Sequence, residues 1–459
     1  MKIFYPLTVF SVLTALSVVP VGHAQEATQG TLAQSPYVAP VPPKALSQTP
    51  PDFNSGFHPS TTINQGSAKT TIQKNSTLSG KTYRSSGNNE NALRITGATV
   101  TLSNVSIQKI SGATSNTEDG DFYGLNAALL ATDGAQVTIT DSTVQSSADN
   151  GNGLFSYGKG TSLTAKNVKI STTADHSGGI QTTGGASTTA ENLTIRTTGN
   201  SSAAIRSDRG GGTVRVNGGT YHTSGSGSPA IYSTADIAVT GAQLTATHSE
   251  GAVIEGKNKI ALTDCTLDGS MDSTRVMGKN TFTEENVHGV MIYQSMSGDA
   301  EEGTSQFSMD GGTLISRKGD VFYVTNTDCT ITLKNQVQIQ QLDKTGVLLR
   351  VAGNSASRGW GKTGANGGTC TLTAENQALS GTISVDSISK LALKLDNGSS
   401  FTGSIEMPEN AEGSRADSGV AVTLQKGAVW NLTADSVITS LTGEGKVNTQ
   451  GHKLTVLEQ

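Results

Sequence analysis

The 459-residue chain carries 32 Lys+Arg against 37 Asp+Glu, a formal net charge of −5. This excludes the basic footprint of a nucleic-acid or anionic-membrane binder. Apolar residues make up 34% and charged residues 15%, with 54 glycines, so a round globule would be short of core. A thin fold, in which each strand buries only alternate residues, suits this composition.

Lys2 begins a short positive segment, an apolar run follows from about Leu7 to Val21, and Gly22-His23-Ala24 places small residues before a cleavage point. Residues 1–24 therefore read as a secretory signal peptide cut near Ala24, too short to span a membrane. Export to the periplasm, cell surface or medium is the expectation. Seven of the eleven prolines lie between Pro36 and Pro59, so residues 25–60 read as an extended, disordered linker. The predicted folded region, 61–459, holds only Pro229 and Pro408, as hydrogen-bonded strands require.

Within that region helical periodicity is absent and β-branched residues dominate. The first clear strand, "RITGATVTLSNVSIQ", alternates through Val100 and Leu102, breaks at Asn104 and resumes out of phase at Val105 and Ile107. The same break recurs at Asp141, Asn167, Asn192, Gly218, Gly241, Asp264, Gly311, Asn335 and Asn376. Every member of the column is Asn, Asp or Gly, the types that tolerate a left-handed backbone, so the column marks a corner with positive φ. A second landmark is a short strand with a mostly small first residue: Ala92, Ala128, Gly153, Gly179, Ala204, Ala230, Ala252, Gly289, Asp320 and Gly346. Coils of roughly 22 to 26 residues with three short strands predict an all-β, single-stranded, right-handed parallel β-helix. Propeller blades need about 40 residues. Cys329 and Cys370 occupy the same slot of adjacent coils. Either a disulfide or stacked inward thiols fits there, with thiols preferred.

From about residue 62 onward this pattern resembles the right-handed parallel β-helix superfamily that includes pectate lyases. The stretch "GAVWNLTADSVITSLTGEGKV" is similar to the late passenger segments of autotransporter adhesins, although no amphipathic barrel pattern follows it before Gln459. The resemblance to adhesin-like bacterial secreted proteins implies a non-enzymatic surface protein contacting glycans or a partner cell. The pectate-lyase side implies a polysaccharide lyase or hydrolase.

Function in such a fold belongs to insertions and outward side chains. Four coils are long: loop one (109–126), loop two (269–288), loop three (293–306) and loop four (352–368). The last three are expected to flank a groove near residues 254–362, with Ile254, Met291, Tyr293, Phe322 and Leu348 along it and Arg350 at its margin. Asp299, Glu301 and Glu302 would form one wall, and Arg358, Trp360 and Lys362 the other. No complete catalytic motif is present: "NTD" at 326–328 is a lone fragment without the other segments of a polygalacturonase signature. Glu118, Asp119 and Asp121 suggest calcium only weakly, and the scattered histidines share no ligand spacing, so no metal or cofactor is expected. Thr-x-Thr arrays are broken at Arg215, Asp236 and Lys259, which removes an ice-binding lattice. The open parallel edges at the ends of such a rod would allow self-association.

Overall fold

The computed structural model describes residues 62–457, except 278, 285, 296, 354–365, 412 and 414–417. The expected signal peptide and linker lie outside them. Among the described residues no helix is long and apolar enough to cross a membrane.

The chain is a parallel β-helix. Thirteen strands, from Ser67–Ile72 to Ile405–Glu406, stack into a first sheet in coil order. The strands before and after each corner form the other two faces, for example Ser162–Lys166 and Lys169–Thr172. In two coils the chain runs through the corner as one strand, Ala186–Thr197 and Gly212–Thr223, which joins both faces into a 22-stranded sheet. Each strand pairs in parallel with its equivalent one coil away, as in the series Leu154, Ile180, Ile205 and Ile231.

The corners explain the broken alternation. Backbone φ is positive at all ten column positions, from 48° at Asn376 to 65° at Gly218. The Asn and Asp side chains also stack into a ladder. Asn167 Nδ2 donates to Asp141 Oδ1 at 3.0 Å, and Asn192 Nδ2 donates to Asn167 Oδ1 at 3.0 Å.

One continuous apolar core runs inside the coils from Tyr83 to Ile438. Phe307 and Phe322 meet edge-on at 5.4 Å, and Phe401 stacks on Trp430 at 5.8 Å. Where the sequence is short of apolar residues, buried hydroxyls close onto backbone carbonyls: Thr197 Oγ1 donates to the Ser202 carbonyl at 2.6 Å, and Ser177 Oγ to that of Ala148 at 2.7 Å. Cys265, Cys329 and Cys370 are buried free thiols, with Cys329 and Cys370 in direct register.

The register corrects one sequence expectation. Ile254, Phe322 and Leu348 do not face a groove; all three are in the interior core. Ala252 pairs with Val290, not Gly289, and Val290 pairs with Phe322, not Asp320. The small residues therefore do not share one register position, and a one-residue slip exchanges the inner and outer faces.

Candidate functional site

The register of the first sheet defines one outward column: Leu130, Phe155, Gln181, Arg206, Tyr232, Val253, Met291, Tyr323 and Arg350. Neighbours in it are about 4.8 Å apart, the spacing of paired strands. Most of this column is buried and only Tyr232 and Arg350 are half-buried, so its side chains meet a covering layer rather than open solvent.

Loop one covers part of this column. It folds into a helix, Thr117–Tyr123, capped by Asn116, whose side chain accepts from the Asp119 N–H at 3.1 Å, and ended by Gly124 at φ 80°. Leu130 and Phe155 of the outward column form an apolar cluster with Ala127. A Cβ on Gly124 would approach both side chains to within 3.1 Å, so glycine both ends the helix and lets it settle. First-sheet side chains hold its carbonyls: Gln181 Nε2 donates to Asp121 O at 2.9 Å, and Thr183 Oγ1 to Phe122 O at 2.6 Å.

Helix, sheet and loop three enclose a cavity of about 270 Å³. Its hub is Arg206, which grips Asp121 with two nitrogens at 2.9 and 3.1 Å and Asp208 with Nε at 2.7 Å. His176 Nδ1 lies 3.1 Å from the same Asp121 carboxylate, and Asn150 Nδ2 donates to it at 2.9 Å. Loop three supplies Asp299, which accepts from Arg209 Nη2 at 2.7 Å and from Ser297 at 2.8 Å. Arg209 also sits over the Phe122 ring at 4.4 Å, tying loop three to loop one. Farther along, Glu255 accepts from the hydroxyls of Tyr232, Ser295 and Tyr293, the last at 3.2 Å.

These surroundings drive the carboxyl groups apart. Burial, followed by the negative charges of Asp121, Asp299 and Asp208, pushes Glu118 up to about 9. Burial would also raise Asp121, but Arg206 and His176 outweigh it and hold that carboxyl below the usual range. Asp208 is pushed up to about 8, chiefly by burial, with Arg206 opposing and Asp121 adding to the rise. Glu250 is brought down to about 2 despite its burial, through His288 and Arg275. One cavity thus presents carboxylic acids and carboxylates together at neutral pH. Glu118 makes no hydrogen bond or ion pair among the described residues, leaving its proton available to a ligand.

Of the sequence-derived groove residues, Met291, Tyr293 and Asp299 line this cavity. Glu301 and Glu302 are exposed, Glu301 reaching only Lys257 at 3.9 Å. Arg350 stands on the outward column but pairs with Asp320 at 2.6 Å. Arg358, Trp360 and Lys362 lie outside the described residues. Among the described residues, no His, Cys, Asp or Glu cluster of three or more is arranged to hold a metal ion. The acidic run of loop one instead serves the network above, with Asp119 accepting from Asn64 Nδ2 at 2.8 Å.

The residues that sequence reasoning missed are His176, Arg206, Asp208, Tyr232, Glu255 and Arg275. A signal was present in "AAIRSD": a charged residue in the strand slot where neighbouring coils carry Gln181 or Tyr232. Comparison with protein-family models, with curated proteins and with solved structures finds no match. The class defined by the fold, a parallel β-helix with a walled acidic cavity on its first sheet, is therefore the starting point for function.

Proposed function

We propose that this protein is an exported, carbohydrate-active β-helix whose first-sheet cavity binds a glycan and cleaves a glycosidic bond by acid–carboxylate chemistry. What supports the reading is that Glu118 and Asp299 line one cavity. Burial first, and then the charges of Asp121, Asp299 and Asp208, raise Glu118 to about 9, so that an acid holding its proton shares the cavity with a carboxylate. Hydrolysis of a glycosidic bond needs two carboxyl groups in these two states. Glu118 gives its proton to the glycosidic oxygen as the bond from the anomeric carbon breaks. Asp299, oriented by Arg209 and Ser297, takes a proton from the water whose oxygen forms the new bond to that carbon. Asp121, Arg206 and Asp208 fix the floor. Tyr232, Val253 and Met291 offer a half-apolar track suited to sugar faces.

The test is incubation of the purified 25–459 protein with a polysaccharide panel, reading both reducing ends and unsaturated products. New reducing ends without unsaturation are expected. Unsaturated products would replace hydrolysis by elimination. Binding with no turnover on any member would overturn cleavage and favour the adhesin-like reading of the sequence.

A further inference from the structure

Arg275 stands apart from the other arginines of the cavity. It is carried by loop two, which folds into a hairpin of Thr274–Met277 and Asn280–Thr283, the one antiparallel pairing among the described residues. The hairpin is fastened to the coils by the Val276 N–H, which donates to Ser226 Oγ at 2.9 Å. The guanidinium lies against Gly227, a residue at φ 58°. A Cβ at that position would come within 2.7 Å of Arg275 Nε and 3.2 Å of its Cζ. The fold thus gives up a side chain at Gly227 to seat this cation at the cavity wall.

Among the described residues no hydrogen bond or ion pair takes up the cation, although its charge favours the ionised Glu250. Arg275 Nε is buried without a hydrogen-bond partner, and the guanidinium donates no hydrogen bond and enters no ion pair among the described residues. Arg206 is taken by Asp121 and Asp208, and Arg209 by Asp299. The nearby Glu250 is occupied by Ser249 at 2.5 Å and by His288 at 3.4 Å. Leaving a buried guanidinium nitrogen without an acceptor costs stability, and a ligand bearing acceptors removes that cost.

We propose that Arg275 is the anion-recognition point of the cavity, binding a carboxylate or sulfate substituent of the glycan through its planar fork of donors. The proposal rests on the glycan reading above and adds a specificity to it. Apart from burial, which acts most strongly on both, Arg275 feels the charges of Glu250, Glu284, Tyr293 and Tyr232, whereas Glu118 feels those of Asp121, Asp299, Asp208 and Arg209. The two residues therefore mark different parts of the cavity, and the anionic substituent belongs to a sugar away from the bond being cleaved. A guanidinium matches either oxyanion with two parallel hydrogen bonds, which an ammonium does not.

Two measurements test this on wild type, Arg275→Gln and Arg275→Lys. The first is calorimetric binding of a sulfated chondroitin-type tetrasaccharide against its desulfated, carboxyl-reduced counterpart. Wild type is expected to prefer the anionic member by on the order of tenfold or more. Arg275→Gln should lose the preference and Arg275→Lys should keep part of it. Equal affinities in wild type, or a preference that survives in Arg275→Gln, would overturn the proposal. The second is thermal unfolding in sodium sulfate against sodium chloride at equal ionic strength. The general stabilisation by sulfate is common to all variants, so the expected result is an excess in wild type that Arg275→Gln lacks. That excess without any tetrasaccharide binding would uphold the anion site and remove the glycan reading. Turnover of neutral glycans with no excess would do the reverse.

Discussion

A corner with positive φ is a demand made of a single residue, and it is met ten times by Asn, Asp or Gly. A β-branched side chain there is strained whatever surrounds it, at a cost of about 1–3 kcal/mol. Asn167→Val should therefore lower stability by about 2 kcal/mol more than Thr164→Val on the adjoining strand, since Thr164 is exposed and valine suits a strand. Equal shifts in denaturant midpoints would refute the assignment of the corner. The inner and outer faces of the first sheet separate just as sharply. Phe322, in contact with Phe307 inside the core, should cost about 3–5 kcal/mol when cut to Ala. Met291→Ala, on the outward column beside Val253 and Tyr323, should cost clearly less. A Phe322→Ala cost no greater than that of Met291→Ala in chemical denaturation would restore the outward placement of Phe322 expected from sequence.

At the scale of elements, the short helix of loop one and the strand carrying Arg206 hold each other through one guanidinium and two carboxyls. Arg206→Met would leave Asp121 and Asp208 side by side and buried, costing about 3–5 kcal/mol at neutral pH. The loss should shrink in acid, where Asp121 takes up a proton, Asp208 already holding one at neutral pH; a pH-independent loss would contradict the network. Stability itself should vary with pH in a definite direction. Glu118 and Asp208, raised to about 9 and about 8, keep protons in the folded protein that the unfolded chain releases near pH 4. Folding therefore loses stability as pH rises from about 4.5 towards 8. Glu250, lowered to about 2, contributes above about pH 4.5 and loses its contribution as pH falls through about 2. The unfolding temperature should accordingly peak between about pH 4 and 5, and Glu118→Gln with Asp208→Asn should flatten the alkaline fall. A melting temperature that climbs from pH 5 to pH 8 in wild type would contradict these protonation states.

Across the whole molecule, the features legible in the sequence were those imposed by the repeat itself. Asn104 and its equivalents disclosed the coil because a backbone requirement recurs at a fixed phase, and the four insertions stood out against it. The site was legible only in part. Asp299 and Met291 were found because they lie on or beside an insertion. Arg206 and Asp208 were missed because nothing in one sequence says that a helix from loop one, 85 positions before Arg206, folds down onto that strand. Phe322 was misplaced because register depends on how each coil enters the first sheet, which small residues mark only approximately. Under the proposed function, a glycosidic bond is cleaved in the cavity between loops one and three, with Glu118 as the acid. The direct measurement is turnover by wild type and Glu118→Gln on the best substrate of the panel at neutral pH. The variant should lose on the order of 100-fold or more in kcat, with KM little changed and thermal stability retained. A folded Glu118→Gln that turns over substrate at the wild-type rate would contradict the account.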